Sequence, residues 1–341
     1  MKLAVGYPAA GGQIAADFVE AVAEYRDHIE EVYFAAPGQP SGRAPARDDG
    51  TLWNHLRALR RMGLKLDLLL NANCYGAAAA SRQLADAVCR VVDQVTRNCG
   101  VHIVTTTSPF IAASLRGSFP TVDLRASVNM RIGTVQGLEI LGDLFDSFCA
   151  QRDHNRDLER VKDLRDWCHA RGKRLSLLVN SGCLAFCSAQ TYHDNLIAHM
   201  AEVPGRFEVR GETTACQRFL RDPRHWPVLL SATWVRPEDL HRYEGLTDLA
   251  KLATRKHPRP SAIIAAYARG EHRGNLLDLL EPGHGALLGG GWIDNAAFPP
   301  DWFERTTDCG RRCWACGYCQ DVLERVLVRT RARASAGPAE R

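Results

Sequence analysis

Residues 175–183 read Leu-Ser-Leu-Leu-Val-Asn-Ser-Gly-Cys, and this stretch decides the fold. A mostly apolar run is followed at once by small and polar residues. Strands that are buried on both faces have such near-continuous apolar runs, which is typical of parallel sheets. A second run, Leu68-Leu69-Leu70, ends in the same way at Asn71-Ala72-Asn73. Together the two runs predict a parallel sheet whose strands lead into polar loops.

Eight strand candidates are bounded by turn residues, and each except the last precedes a segment with helical spacing of apolar residues. The regular alternation predicts a (β/α)8 TIM-like barrel. An open doubly wound sheet is the competing fold, but the sequence has no Gly-rich dinucleotide-binding motif to support it. The strand candidates are Leu3 to Tyr7, Glu31 to Phe34, Leu66 to Asn71, Val101 to Thr105, Thr121 to Ser127, Ser147 to Gln151, Leu175 to Asn180 and Val228 to Thr233.

The predicted barrel occupies residues 1–245. Residues 246–330 are expected to hold covering helices, among them Leu249 to Thr254 and Ser261 to Tyr267, and a cysteine-rich segment that begins at Cys309. Residues 331–341 form a basic tail, which is expected to be disordered. Most of the formal net charge of +4 comes from the arginines after residue 324, so the body of the chain is near neutral.

The composition excludes an intrinsically disordered chain, because 45% of the residues are hydrophobic and a chain of 341 residues can bury a large core. Met1-Lys2 leads directly into the first strand candidate, and no stretch reaches the length of a membrane span. We therefore expect a cytoplasmic protein with no membrane contact. Because the cytoplasm keeps thiols reduced, the twelve cysteines of the chain indicate metal or redox chemistry.

Polar residues that follow the predicted strands are expected to converge, because the reactive groups of a TIM-like barrel lie at the carboxyl ends of its strands. Arginines there suit a carboxylate or a phosphate, although each arginine taken singly also fits a structural ion pair. The predicted substrate-binding residues are Asn73, Arg125, Asn129, Arg131, Arg152, Asn155, Asn180 and Arg236, and the predicted proton-transfer residues are Asp153 and His193. This set predicts an acidic small molecule or RNA as substrate.

Two groups of cysteines have spacings suited to a soft metal. Cys309, Cys313, Cys316 and Cys319 are separated by three, two and two residues, which fits zinc and an iron-sulfur cluster equally well. The same order occurs in radical S-adenosylmethionine enzymes, but those carry it after the first barrel strand. Cys183 and Cys187 are spaced by one helical turn after the seventh strand, and Cys216 is a candidate for the same centre.

The stretch from Val122 to His199 resembles the collagenase-like peptidase U32 family. The resemblance rests on residues 125–129, Arg-Ala-Ser-Val-Asn, on residues 180–183 and on Cys187. It implies a barrel with a 4Fe-4S cluster, Cys183 and Cys187 as ligands and Cys216 as a third. The fourth ligand stays open. The chain departs from the family in having four more cysteines near its end, which could supply that ligand or form a separate centre.

Three functions follow from these observations. Several proteins similar to the U32 family act in oxygen-independent hydroxylation, which implies a redox modification of an acidic small molecule or of RNA with an unidentified electron donor. A peptidase is the second alternative, but it rests on the family label, because the sequence has no Gly-x-Ser-x-Gly or His-Glu-x-x-His motif. The third is a non-catalytic iron-sulfur partner protein in a heteromeric complex.

Overall fold

The computed structural model describes residues 1–39, 41–43, 50–199, 215–307 and 309–329. Eight parallel strands close into a barrel in chain order, and helices surround it, so the predicted (β/α)8 barrel is confirmed. The barrel strands are β1 (Lys2–Gly6), β2 (Ile29–Phe34), β3 (Lys65–Leu70), β4 (Ile103–Thr106), β5 (Asp123–Ala126), β6 (Ser147–Cys149), β7 (Arg174–Leu178) and β8 (Leu249–Leu252). A short antiparallel pair, β9 (Trp292–Ile293) and β10 (Leu327–Val328), lies outside the barrel.

The eighth strand is not the one expected from the sequence. β8 pairs with β1, so that Lys2 faces Leu249, and with β7, so that Ser176 faces Leu249. Residues 223–229, which overlap the expected strand Val228 to Thr233, form a 3-10 helix, and Leu230 after it is buried. A short apolar run does not by itself distinguish a strand from another buried segment. The expected helix Leu249 to Thr254 is therefore wrong, and the barrel extends past residue 245.

The helices cover the barrel with apolar faces. The α1 helix buries Phe18 and Val22, and α6 buries Val161 and Leu164, as the spacing predicts. Their bounds are α1 (Gly12–Glu24), α2 (Leu52–Arg61), α3 (Arg82–Cys99), α4 (Pro109–Ser118), α5 (Val135–Leu141), α6 (Leu158–His169), α7 (Gln190–His199), α8 (Ala215–Leu220), α9 (Pro260–Arg269), α10 (Trp302–Thr306) and α11 (Tyr318–Val326). None of these helices, within the described ranges, is long and apolar enough to cross a membrane.

Segments after β8 close one side of the barrel. Ser181, just past β7, forms a parallel bridge with Glu281. Trp302 on α10 stacks on the buried ring of Trp234 at a centroid distance of 5.9 Å. The segments around Glu281 and Trp302 therefore pack against the barrel and the loops that follow its strands. The predicted disordered tail, residues 331–341, lies outside the described residues.

Charged side chains fill the lower interior of the barrel. The guanidinium of Arg125 makes two hydrogen bonds to the carboxylate of Glu31, at 2.6 and 2.9 Å, and both residues are buried. Arg125 also lies 3.6 Å from Asp67 and donates to the hydroxyl of Ser147. Its prediction as a substrate-binding residue is not supported by this geometry, because the paired carboxylates occupy its donors.

We expect Glu31→Gln to lower the free energy of unfolding by about 3–5 kcal/mol, because it leaves the charge of Arg125 buried without its main partner. Urea unfolding followed by circular dichroism measures the loss. Glu30→Gln on the same strand is the matched control, since Glu30 is partly exposed and pairs with Arg174 and Lys65. The control should change the free energy of unfolding by less than about 1 kcal/mol. Equal losses in the two variants would contradict this account of the interior.

Candidate functional site

A cavity of about 70 Å³ lies at the carboxyl ends of the barrel strands. This volume corresponds to roughly five water positions, which suits a small organic molecule. Its walls come from four barrel strands, β2, β3, β7 and β8, and from segments that follow barrel strands. They comprise Tyr33, Gly42, Arg43, Leu69, Asn71, Ser127, Val128, Asn129, Arg152, Leu178, Ser181, Lys251, Ala253, Arg255 and Glu281. The polar strand ends therefore do converge on one site, which we call the mouth cavity.

Positive charge dominates the lining of the mouth cavity. Arg152 follows β6, Lys251 lies on β8 and Arg255 follows it, and these three residues are at most 7% exposed. The guanidinium of Arg152 makes no hydrogen bond or ion pair to any residue that the structure describes. A buried guanidinium without a counter-charge is unfavourable, so this arrangement suits an anionic ligand.

Glu281 is the acidic residue among the described residues of the lining, and it already has a partner. Its carboxylate lies 3.5 Å from Nε of Arg43, and Arg43 also lies 3.9 Å from the carboxylate of Asp194. The pKa of Arg43 is raised by the nearby Cys183, Glu281 and Asp194, although burial opposes them. These acids therefore neutralise Arg43 and leave Arg152 without a described carboxylate partner.

Amide side chains also line the mouth cavity. The side-chain oxygen of Asn71 accepts a hydrogen bond from the backbone of Gly42 at 2.9 Å, and Asn71 also lies 3.5 Å from the hydroxyl of Ser127. A Cβ at Gly42 would stand 2.7 Å from the side-chain nitrogen of Asn129. A side chain at Gly42 would therefore displace Asn129, and Asn129, a predicted substrate-binding residue, lines the cavity.

The α7 helix lies beside the mouth cavity. Its residue His193 is partly buried, and its pKa is lowered by burial and by the charges of Arg43 and Arg152, with Asp194 opposing. His193 is therefore mostly neutral near pH 7, and a neutral imidazole can accept a proton. Arg131 does not reach the cavity lining, because it donates to Thr191 and Gln190 on α7.

Asp153 holds the loop after β7 rather than facing the cavity. One carboxylate oxygen accepts a hydrogen bond from the backbone of Phe186 at 2.6 Å, and the other accepts from the side chain of Gln151 at 2.8 Å. Asp153 is 1% exposed. These contacts give Asp153 a structural role, in place of the predicted proton transfer.

Three further predicted residues also serve the fold. Asn155 donates to the backbone oxygens of Leu178 and Thr233, and Asn180 donates to those of Ala253 and Leu279. Arg236 donates to the side chain of Asn295, pairs with Glu238 and lies over the ring of Phe298. Asn73 lies outside the cavity lining, and its side-chain oxygen is buried without a hydrogen bond. None of these four lines the mouth cavity.

Sequence reasoning missed Lys251, Arg255 and Glu281. Lys251 is on β8, within the expected helix Leu249 to Thr254, and Arg255 is in the loop after β8. Their signal was present, because Leu249-Ala250-Lys251-Leu252 ends in Ala253-Thr254-Arg255, with the polar strand end seen elsewhere. Glu281 comes to the mouth through its bridge with Ser181, which no local pattern indicates.

The four C-terminal cysteines line a second, open cavity of about 660 Å³, which we call the cysteine cavity. Cys309, Cys313 and Cys316 are exposed and Cys319 is partly buried. Burial raises the pKa of Cys319 to about 11; Arg156 opposes this shift and the other three thiols add to it. The four thiols are therefore neighbours in space as well as in sequence.

The predicted group of Cys183, Cys187 and Cys216 is placed differently. Cys183 and Cys187 lie in the loop after β7 and Cys216 lies on α8, and all three are partly buried. None of them lines the cysteine cavity. In the described parts of the chain, no three His, Cys, Asp or Glu side chains stand close enough together to hold a metal ion. The ligand assignments stay predictions.

The proteins similar to this chain include a sequence relative and a solved structure. An uncharacterized protease of Methanocaldococcus jannaschii, MJ1657, is 22% identical over 302 residues, which are 86% of each chain. The solved structure of the U32 peptidase Mk0906 has a TM-score of 0.54 at 16% identity, over 74% of this chain and 92% of that one. The resemblance to the U32 family is confirmed. At this identity the U32 structure supports the fold alone, and no protein-family model matches the sequence.

We expect Asp153→Ala to increase amide hydrogen exchange at Phe186 about tenfold or more, because the variant removes the carboxylate that accepts from this amide. Exchange measured by mass spectrometry on peptides that cover residues 183–187 tests this. Asp163→Ala is the control, since Asp163 is exposed on α6. Unchanged exchange at Phe186 would return Asp153 to the list of candidate catalytic residues.

Proposed function

We propose that this U32-like barrel binds a small acidic molecule in the mouth cavity and modifies it in a redox reaction supported by an iron-sulfur cluster. One observation carries the first part: Arg152 is buried at the mouth without a described counter-charge, next to Lys251 and Arg255. A carboxylate would give this guanidinium two parallel hydrogen bonds. A small acid is favoured over RNA because the cavity holds about 70 Å³.

Other lining residues supply orientation, and His193 on the neighbouring α7 supplies proton transfer. Asn129, Asn71 and Ser127 contribute amide and hydroxyl groups to the same lining as the cations. His193 stands near Arg152 and Arg43, and its lowered pKa makes it a proton acceptor near neutral pH. In this proposal Arg152 binds the acid, the amide side chains orient it, and His193 accepts a proton from it.

The cysteine cavity supports the second part of the proposal. Among its described lining residues are four thiols and no carboxylate, and soft sulfur donors favour zinc or an iron-sulfur cluster over hard cations. An iron-sulfur cluster would supply one-electron transfer. Arg156, Arg305, Arg311 and Arg312 line the same cavity and would offset the negative charge of bound thiolates. A shared ion requires the segment 309–319 to draw its thiols closer together than they stand.

The resemblance favours Cys183, Cys187 and Cys216 as ligands, whereas proximity favours the C-terminal four. We propose that the C-terminal thiols hold iron, with Cys183 and Cys187 as the alternative site. Zinc at the C-terminal thiols is the competing occupant. A non-catalytic partner protein would carry the cluster without binding an acid at the mouth.

A peptidase is the second candidate function, and the names of MJ1657 and Mk0906 favour it. Against it, the sequence has no Gly-x-Ser-x-Gly or His-Glu-x-x-His motif. The mouth cavity is also narrow for a peptide strand. We therefore rank peptidase activity below the redox proposal.

We expect protein isolated without oxygen to be brown and to contain about four irons per cluster. Iron and sulfide analysis with visible absorption measures this. Replacing Cys313 and Cys316 together with Ala should remove the colour, whereas Cys89→Ala should retain it, since the thiol of Cys89 instead lies near the backbone oxygen of Ser114. A colourless wild-type preparation with stoichiometric zinc and no iron would overturn the cluster proposal.

Cys183→Ala and Cys187→Ala, analysed in the same way, decide between the two thiol groups. If they alone lose iron, the cluster is held after β7. If only the C-terminal variant loses iron, the ligands suggested by the resemblance are wrong.

We expect Arg152→Gln to weaken the binding of pyruvate or malonate about tenfold or more, because it removes the charged partner of the carboxylate. Isothermal titration calorimetry of the full chain measures the affinity. Arg97→Gln is the control, since Arg97 is exposed on α3 and pairs with Asp93. The mouth-cavity proposal fails if both variants match the wild type, or if the wild type binds neither acid.

A further inference from the structure

We propose that Lys251 is a reactive lysine that forms an imine with a small α-keto acid bound in the mouth cavity. This inference rests on the proposed function, because it uses the same cavity and narrows its ligand to acids that carry a carbonyl group. No part of the redox proposal requires it. The argument starts from the position of Lys251 on β8, where the barrel interior meets the cavity.

Lys251 is held away from water. It is 7% exposed, it lines the mouth cavity, and its ammonium nitrogen lies 4.0 Å from the ring centroid of Tyr33. The hydroxyl of Tyr33 is used elsewhere, because it donates to the backbone oxygen of Leu252 at 2.5 Å. A lysine that is packed in this way reaches its neutral, nucleophilic form more easily than a solvated one. Burial accordingly lowers the pKa of Lys251, although Asp67 opposes this effect.

Asp67 is placed to exchange a proton with Lys251. Its carboxylate is 3.8 Å from the nitrogen of Lys251, and the hydroxyl of Thr105 donates to it at 2.8 Å. Burial raises the pKa of Asp67 to about 6, while Lys251 and Arg125 oppose the shift. Asp67 therefore titrates close to neutral pH, where it can both accept and return a proton. Lys251 has no ion-pair partner nearer than Asp67 among the described residues.

The cations of the cavity define the ligand. The guanidinium of Arg152 has no described partner and lines the same cavity as Lys251, so a ligand that binds Arg152 through its carboxylate shares this cavity with the amine of Lys251. A cavity of about 70 Å³ suits an acid of the size of pyruvate or glyoxylate. The ligand class is thus a short α-keto acid, whose carbonyl is electrophilic and adjacent to the carboxylate.

The proposed reaction is balanced without any oxidant or reductant. Deprotonated Lys251 attacks the carbonyl carbon, a C–N bond forms, and the carbonyl oxygen takes up a proton. The nitrogen of this adduct then loses its remaining hydrogens as protons, the C–O bond breaks, and water leaves with the oxygen. The product is an imine plus one water molecule. Asp67 accepts the proton that Lys251 gives up before attack, and it returns a proton to the departing oxygen.

The test is reductive trapping on the full-length chain. Wild-type protein is incubated with pyruvate and sodium cyanoborohydride, which reduces an imine to a stable amine, and the modified lysine is located by peptide mass spectrometry. We expect a 1-carboxyethyl group on Lys251 in preference to the other lysines. Lys251→Arg should abolish this label, and Arg152→Gln should lower its yield about tenfold. Lys65→Arg is the control, since Lys65 is exposed on β3 and should leave the label unchanged.

Calorimetric binding of pyruvate separates the two proposals. If pyruvate binds in an Arg152-dependent manner but Lys251 is not labelled, the imine inference is overturned and the mouth-cavity proposal stands. Labelling of surface lysines at the same yield as Lys251 overturns the inference as well. If neither pyruvate nor malonate binds and pyruvate does not label Lys251, both proposals fail. Peptide mapping of the wild type gives the decision even if Lys251→Arg does not fold.

Discussion

Four charged side chains from four different strands meet inside the barrel, and their mutual neutralisation is the constraint on which the site above them depends. Glu31 and Asp67 supply the acids and Arg125 and Lys251 the bases, so the charges balance. Buried charges of this kind are tolerated only when they are paired and hydrogen-bonded. Because Arg125 holds both acids, it fixes β2, β3 and β5 relative to one another. Lys251 completes the group from β8 and places its amine at the floor of the mouth cavity.

This balance of positive and negative charge does not extend to the mouth cavity. Lys251 pairs with Asp67, but the lining also contains Arg43, Arg152 and Arg255 with Glu281 as the acid among its described residues, so it has an excess of positive charge. Below the cavity each cation has a described acid; at the cavity Arg152 has none. A negatively charged ligand would pair with Arg152, in the same way as Glu31 and Asp67 pair with the cations of the interior. The requirement that a buried cation has an acidic partner thus explains why Arg125 belongs to the fold and Arg152 to the site. The sequence places both arginines near the ends of strands.

The loop after β7 connects the mouth with the cysteine cavity. Phe186 lines the cysteine cavity, and its backbone amide donates to Asp153, the neighbour of Arg152 in sequence. Arg311, from the cysteine-rich segment, lies 5.1 Å from the ring centroid of Phe186. A metal that draws residues 309–319 together would act on this contact first. The two cavities are therefore joined through one short segment, which also contains Cys183 and Cys187.

The sequence by itself determined the alternation of strands and helices, because apolar runs such as Leu175 to Val179 reflect burial on both faces of a strand. It also indicated that strand ends such as Asn129 and Arg152 lie at one site. The identity of the eighth strand came from the tertiary structure. Lys251 interrupts the apolar run of β8, whereas residues 228–233 are largely apolar because they pack outside the sheet. The tertiary structure alone showed that Arg125, Asp153 and Asn180 are occupied by internal partners. The reason is physical: a local pattern records whether a side chain is polar, whereas its depth and its partners are set by the closure of the barrel.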